Sequence, residues 1–139
     1  MISTIALSVA LLALTATLAE ADELIAIGTL LNNPSAYKVH SVTVEGTVKE
    51  VKHFPPMFNR ACGKMMYDSY LLTLEDETGS LNVEVFGGCR GPGAVIQVSV
   101  GERVLVQGIF YFPRSNQVGD METKINPFIL AFYVDRLTE

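Results

Sequence analysis

The sequence predicts an all-β domain preceded by one short α-helix. Three observations carry this. Ser69 to Phe86 (SYLLTLEDETGSLNVEVF) holds two alternating strands on either side of the turn Glu75-Asp76-Glu77-Thr78-Gly79. An alternating strand interrupted by glycine, Val42 to Val51 (VTVEGTVKEV), precedes it. A strand opened by a Gly-Glu-Arg turn, Val100 to Phe112 (VGERVLVQGIFYF), follows it.

The N-terminus reads as an address before it reads as structure. Met1 to Leu18 is almost wholly apolar or small, and Ala19-Glu20-Ala21 follows as an Ala-x-Ala site. This predicts a signal peptide over residues 1–21, cleaved after Ala21, with the folded domain over 22–139. No Lys or Arg precedes the apolar run, so an uncleaved anchor stands as the alternative, the run approaching the roughly 18 residues a span needs. No cysteine sits at the cleavage site, which argues against a lipoprotein. Removing 21 of the 139 residues leaves 118, enough for one modest domain and too few for two. The expected location is periplasmic or secreted.

Asp22 to Leu31 (DELIAIGTLL) predicts an amphipathic helix. Leu24, Ile27 and Leu31 share a face widened by Ile25 and Leu30, and Asp22 stands where it would cap the start. Asn32-Asn33-Pro34 ends it, and Pro34 to Lys38 is a connector with Tyr37 packed beneath the domain. In the first strand Val42, Val44, Gly46 and Val48 face in, and Thr43, Glu45, Thr47 and Lys49 face out. Lys52 to Asp68 reads as a long loop. Tyr70, Leu72 and Leu74 point inward on the second strand, and Leu81, Val83 and Val85 on the third. Gly87 to Gly93 (GGCRGPG) is too rich in glycine and proline for a helix interior, leaving Ala94 to Val98 a brief extended piece. Strand four takes Val104, Val106, Gly108, Phe110 and Phe112 on one face. Pro113 to Thr123 is a polar hairpin loop. Ile125 to Val134 is the last strand, with Pro127 marking an edge or an irregular start.

This order resembles the OB-fold of the tRNA-anticodon-binding type. The resemblance rests on the helix followed by Asn-Pro-x-x-Tyr, Val-x-Val-x-Gly-x-Val in strand one, Asp-Glu-Thr-Gly-x-Leu at the hairpin, and Val-Gly-Glu-Arg-Val-x-Val-x-Gly opening strand four. It covers roughly Asp22 to Leu137. It implies a five-stranded Greek-key barrel with the helix packed on it, in which Gly46 lets the long first strand bend. It also implies a ligand face on strands two and three, flanked by the loops between strands one and two and strands four and five. Mapped here, that face is Leu71, Thr73, Asn82, Glu84 and Phe86, with His53, Phe54, Arg90, Tyr111 and Arg114 around it.

Composition limits the partners. The formal charge is −5, and −4 without Glu20, so no general attraction to phosphate backbones is expected. Nucleic-acid binding would need a local patch, with His53, Phe54, Phe58, Phe86 and Tyr111 as stacking candidates. Lys52, Arg60, Lys64, Arg90, Arg114 and Lys124 would then meet phosphate. Against this, Phe54 and Phe58 suit packing at the barrel mouth, and Glu84 lies within the face. The chain has two cysteines, Cys62 and Cys89. In an exported protein an even count predicts a disulfide, and pairing back from the turn brings both just beyond the hairpin. A metal site or a redox pair is the alternative, although the spacing is not Cys-x-x-Cys. His53, Met57, Cys62, Met65 and Met66 make up a soft-donor set that suits copper if Cys62 is free.

No Gly-x-Ser-x-Gly elbow, phosphate loop or His-Glu-x-x-His occurs. The expectation is a non-catalytic exported binding module without catalytic residues, cofactor or resident metal. Its partner is a protein, glycan or small ligand of the cell envelope. Single-stranded oligonucleotide binding and copper binding by the 52–68 loop are the alternatives.

Overall fold

The computed structural model describes residues 23–112 and 126–138. Its frame is β1 (Ser41–His53), a strand long enough to serve two neighbours. Before it come α1 (Ile27–Asn32) and α2 (Pro34–Tyr37). After it come β2 (Met57–Asn59), β3 (Lys64–Met66), β4 (Tyr70–Asp76), β5 (Gly79–Val85), β6 (Arg103–Tyr111) and β7 (Phe128–Arg136). Five strands close a barrel in the order β1-β4-β5-β7-β6, antiparallel except for the β5–β7 contact. This is the five-stranded barrel with a short leading helix that the sequence predicts.

β1 changes partner at Thr47, which pairs with Arg103 of β6 and with Glu75 of β4. Gly46 stands immediately before that switch. A Cβ there would lie 2.7 Å from the Glu75 carbonyl oxygen and 2.8 Å from Leu74 Cγ. The missing side chain therefore lets β4 approach, and a register shift between Val48 and Glu50 completes the bend.

The predicted alternation holds for the barrel strands. Val44, Val48, Leu72, Leu74, Val83, Val104, Val106, Phe110 and Ile129 are fully buried, and Ile27 and Leu30 of α1 close one end of the core. Thr43 departs from it. Predicted outward, it is buried because Leu24 bridges alongside it and the Ile25 N–H donates to its carbonyl at 2.9 Å.

The helix is shorter than predicted. Residues 23–26 are extended, and α1 begins only at Ile27. Asp22 lies outside the described residues, and the cap comes from elsewhere in the chain. The Ile27 N–H donates to Asp76 Oδ2 at 2.8 Å, and the Gly28 N–H to Thr78 Oγ1 at 2.7 Å. The other Asp76 oxygen accepts from the N–H groups of Thr78 and Gly79 and from the Thr78 hydroxyl. A Cβ on Gly28 would sit 2.8 Å from Thr78 Cβ, so the turn and the helix start fit only with glycine between them. Pro34 does not end in a bare connector: it occupies the first turn of α2, where a missing N–H costs nothing.

The 52–68 segment, expected as a loop, folds back as the β2–β3 hairpin. Asn59 makes the turn, its Oδ1 accepting from Ala61 N–H at 2.8 Å and its carbonyl from Gly63 N–H at 2.9 Å. Cys62 and Cys89 are bridged, as the hairpin register predicts, with their Cα atoms 6.6 Å apart. No helix lies between β5 and β6; Val98 is buried there without regular structure. β7 starts at Phe128 and not at Ile125, so Pro127 marks the irregular start and not an edge. Ile125 and the 113–123 loop lie outside the described residues.

Burial tends to raise the Asp76 carboxyl, but hydrogen bonds from the Thr78 hydroxyl and from the Ile27, Thr78 and Gly79 N–H groups outweigh it and hold the group below its usual 3.8. A lowered folded value stabilises the fold when the group is ionised. That contribution is complete at neutral pH, shrinks as pH falls through the ordinary carboxylate range, and vanishes below the lowered value. Acid titration of the thermal midpoint is expected to show this loss in the native protein and less of it in Asp76→Asn. Asp76→Ala is expected to cost about 2 kcal/mol, since it removes a helix cap and a turn acceptor together. Replacing both Cys62 and Cys89 by Ser opens a ring of sequence separation 27. The denaturant midpoint is expected to fall by an amount equivalent to about 3 kcal/mol.

Candidate binding face

Side chains at alternate positions of a strand share a face, and pairing registers align them across strands. Glu50, Thr73, Asn82, Phe128 and Tyr111 are successive cross-strand partners on the outside of β1, β4, β5, β7 and β6. Lys52, Leu71, Glu84, Leu130 and Ile109 form the next row. The predicted face residues Leu71, Thr73, Asn82 and Glu84 thus lie together and half-buried.

The first row holds the most organised chemistry. The Tyr111 and Phe128 rings stack with centroids 5.3 Å apart at 21°. The Thr73 hydroxyl donates to Asn82 Oδ1 at 3.4 Å. Beside them opens a cavity of about 290 Å³ lined by Leu31, Thr73, Ser80, Leu81, Asn82, Asn126 and Pro127. Among the described residues that line it, the polar groups are hydroxyls and amides, and none is charged. The Ser80 hydroxyl is turned to Glu75 Oε2 at 3.2 Å.

Phe86 lies past the end of β5, 57% exposed, above a groove of about 270 Å³ shared with Ile96, Phe132 and Tyr133. Tyr70 forms its floor and donates its hydroxyl to the Ile96 carbonyl at 2.8 Å. Burial pushes this phenol up to about 12, against a weaker opposing pull from Arg136. The Arg136 guanidinium also donates to the Gln97 carbonyl and pairs with Glu102 at 3.2 Å. These contacts hold the β5–β6 connection in place without a helix.

The remaining predicted residues are dispersed. His53 ends β1, its ring 6.1 Å from that of Tyr70. Phe54 lies under Lys52 Nζ at 5.7 Å. Arg90 is exposed beside Cys89, and Arg114 and Lys124 lie outside the described residues. The copper reading loses its thiolate to the disulfide, and Asn59 Nδ2 approaches the Met66 sulfur at 3.5 Å. Among the described residues no cluster of three or more His, Cys, Asp or Glu is placed to hold a metal. A cavity of about 620 Å³ lies at the acidic end beside Glu45, Glu75, Asp76 and Glu77. Glu45 pairs there with Arg103 at 3.9 Å and Glu75 with Lys49 at 3.2 Å, and Asp76 caps α1.

Sequence reasoning missed Phe128, Leu130, Phe132, Tyr133 and Ile96. The run PFILAFY gave a signal, since its alternate apolar residues exceed what one core face needs. Only the parallel β5–β7 pairing shows that Phe128 adjoins Asn82.

No protein-family model matches the chain, and no curated protein matches it. Solved structures do. A Leishmania major Friedlin protein solved as an aspartyl-tRNA synthetase matches 91% of this chain at 13% identity and TM-score 0.58; the match spans 23% of its own length. The N-terminal domain of an archaeal MCM matches 75% at 14% identity and TM-score 0.52, over 58% of its length. The second OB-fold domain of replication protein A from Methanococcus maripaludis matches 84% at 18% identity and TM-score 0.54, over 97% of its length. Identities this low speak to architecture alone. The closed strand order, the parallel β5–β7 contact and these neighbours together identify the chain as an OB-fold domain.

Proposed function

We propose that this domain is a non-catalytic binding module for a neutral oligosaccharide, acting outside the cytoplasm. The observation that carries the reading is the cavity beside the stacked Tyr111–Phe128 pair, whose described lining residues offer hydroxyls and amides and no charge. Aromatic faces suit the apolar faces of sugar rings, and hydroxyl and amide groups suit their hydroxyls. Oligosaccharides are one of the two ligand classes that OB-folds take on this surface. Glu84, central in the adjoining row, offers a further acceptor and disfavours a polyanion. The apolar Met1–Leu18 run, the Ala-x-Ala site and the Cys62–Cys89 bridge support export. The non-catalytic assignment draws support from Asp76 and Tyr70, the two residues among those described with displaced titrations, since both are engaged in holding the fold.

Single-stranded nucleic acid is the second reading. It is favoured by Lys52, Arg60, Lys64 and Arg90 near one end of the face and by the likeness to the replication protein A domain. Calorimetric titration with cello- and chito-oligosaccharides and with oligothymidylate separates the two. The first reading expects a neutral sugar to bind with little salt dependence and Tyr111→Ala to weaken it about tenfold. Oligothymidylate affinity that falls steeply with salt and rises in Glu84→Gln, with no sugar bound, would replace it by the second. Intact-mass measurement of the exported protein is expected to give a chain beginning at Asp22 and lighter by two hydrogens until reduced.

A further inference from the structure

The cavity face leaves the β2–β3 hairpin unexplained. Residues 51–67 carry Lys52, Arg60 and Lys64 and no Asp or Glu, in a chain whose formal charge is −5. β4 starts beside this hairpin and ends at the acidic turn Glu75–Glu77, so charge is separated along the barrel. The hairpin also exposes apolar surface: Phe58 is 62% exposed, Met57 50%, Met65 39% and Phe54 37%. Phe58 pairs with Met65 across the two strands, which puts them on one face, while Met66 on the other is buried. An exposed apolar patch rimmed by polar groups marks an interaction surface.

Its shape is fixed in advance. Asn59 closes the turn, and the Cys62–Cys89 bridge ties the tip to the segment after β5, where Arg90 adds a fourth cation. Exposed apolar side chains on a preformed tip that also carries exposed cations are complementary to a fluid apolar phase behind a negatively charged surface. The same tip is poorly disposed for nucleobases. Lys52 Nζ stands over the Phe54 ring, and Phe58 is set across from the flexible thioether of Met65.

We propose that the β2–β3 hairpin docks this domain onto an anionic lipid bilayer. Phe58 and Met65 enter the boundary between headgroups and acyl chains, and Lys52, Arg60 and Lys64 lie against headgroup phosphates. This surface is distinct from the cavity face, so the proposal stands or falls independently of the sugar reading.

The chain has no tryptophan, which supplies a local test. Phe58→Trp introduces a single indole at an exposed position, and its emission reports on the hairpin whether or not Met1–Leu18 is retained. Titration with phosphatidylcholine vesicles containing phosphatidylglycerol is expected to shift this emission to the blue and to allow quenching by brominated lipid. Pure phosphatidylcholine vesicles are expected to produce neither effect. Arg60→Glu with Lys64→Glu in the same background is expected to weaken binding by roughly 25-fold or more, taking about fivefold for each cation lost. Both residues are exposed, and far-ultraviolet circular dichroism with a thiol assay checks that the variants fold and keep the bridge. Cosedimentation of the native protein and its Arg60→Glu/Lys64→Glu variant repeats the comparison without the indole. An unshifted indole on anionic vesicles overturns the proposal. So does a shift that survives the charge reversal, or one produced by oligothymidylate and not by vesicles.

Discussion

One carboxylate organises this domain. Asp76 receives the Ile27 N–H with one oxygen and holds the turn between β4 and β5 with the other. The first turn of a helix has no acceptors of its own, and a six-residue helix is too short to survive alone. α1 therefore exists because the barrel supplies its cap. In return it lays Ile27 and Leu30 over the end of the core, which five strands alone would leave open. Gly28 is the geometric condition of the exchange, since any side chain there would meet Thr78.

The binding face follows from a second constraint, the bend in β1. Because Gly46 and the adjacent bulge let one strand pair with both β4 and β6, the sheet closes. Closure brings β7 against β5 in parallel. That contact places Phe128 next to Asn82, so an aromatic from the last strand joins polar groups from the central hairpin. Residues more than forty positions apart become neighbours through backbone pairing alone.

The sequence was most legible where one periodicity acted. β4, β5 and β6 fall where period-two alternation places them, and Leu71, Thr73, Asn82 and Glu84 share the face that alternation assigns. The cysteine pairing followed from the same hairpin register. It was least legible where a distant group decided the outcome. The start of α1 depends on Asp76, 49 positions downstream of Ile27, so a search for a local cap found Asp22 instead. The β2–β3 hairpin was hidden because three-residue strands carry too few alternations to register against Pro55 and Pro56. Phe128 and Tyr111 were readable as strand residues, but their stacking depends on a partnership that no local pattern encodes.

The disulfide has a further consequence for how the chain folds. The ring closed by Cys62 and Cys89 contains β3, β4 and β5 entire, so the segment that presents Asp76 becomes a covalent enclosure with mainly local contacts. The pairings that reach outside it include the distant ones: Ser41 with Ile109, and Asn82 with Phe128. Such contacts bear the loop-closure entropy and set the barrier to folding. In the oxidised chain the central hairpin is thus the pre-assembled part, and the slow search is that of β6 for β1 and of β7 for β5.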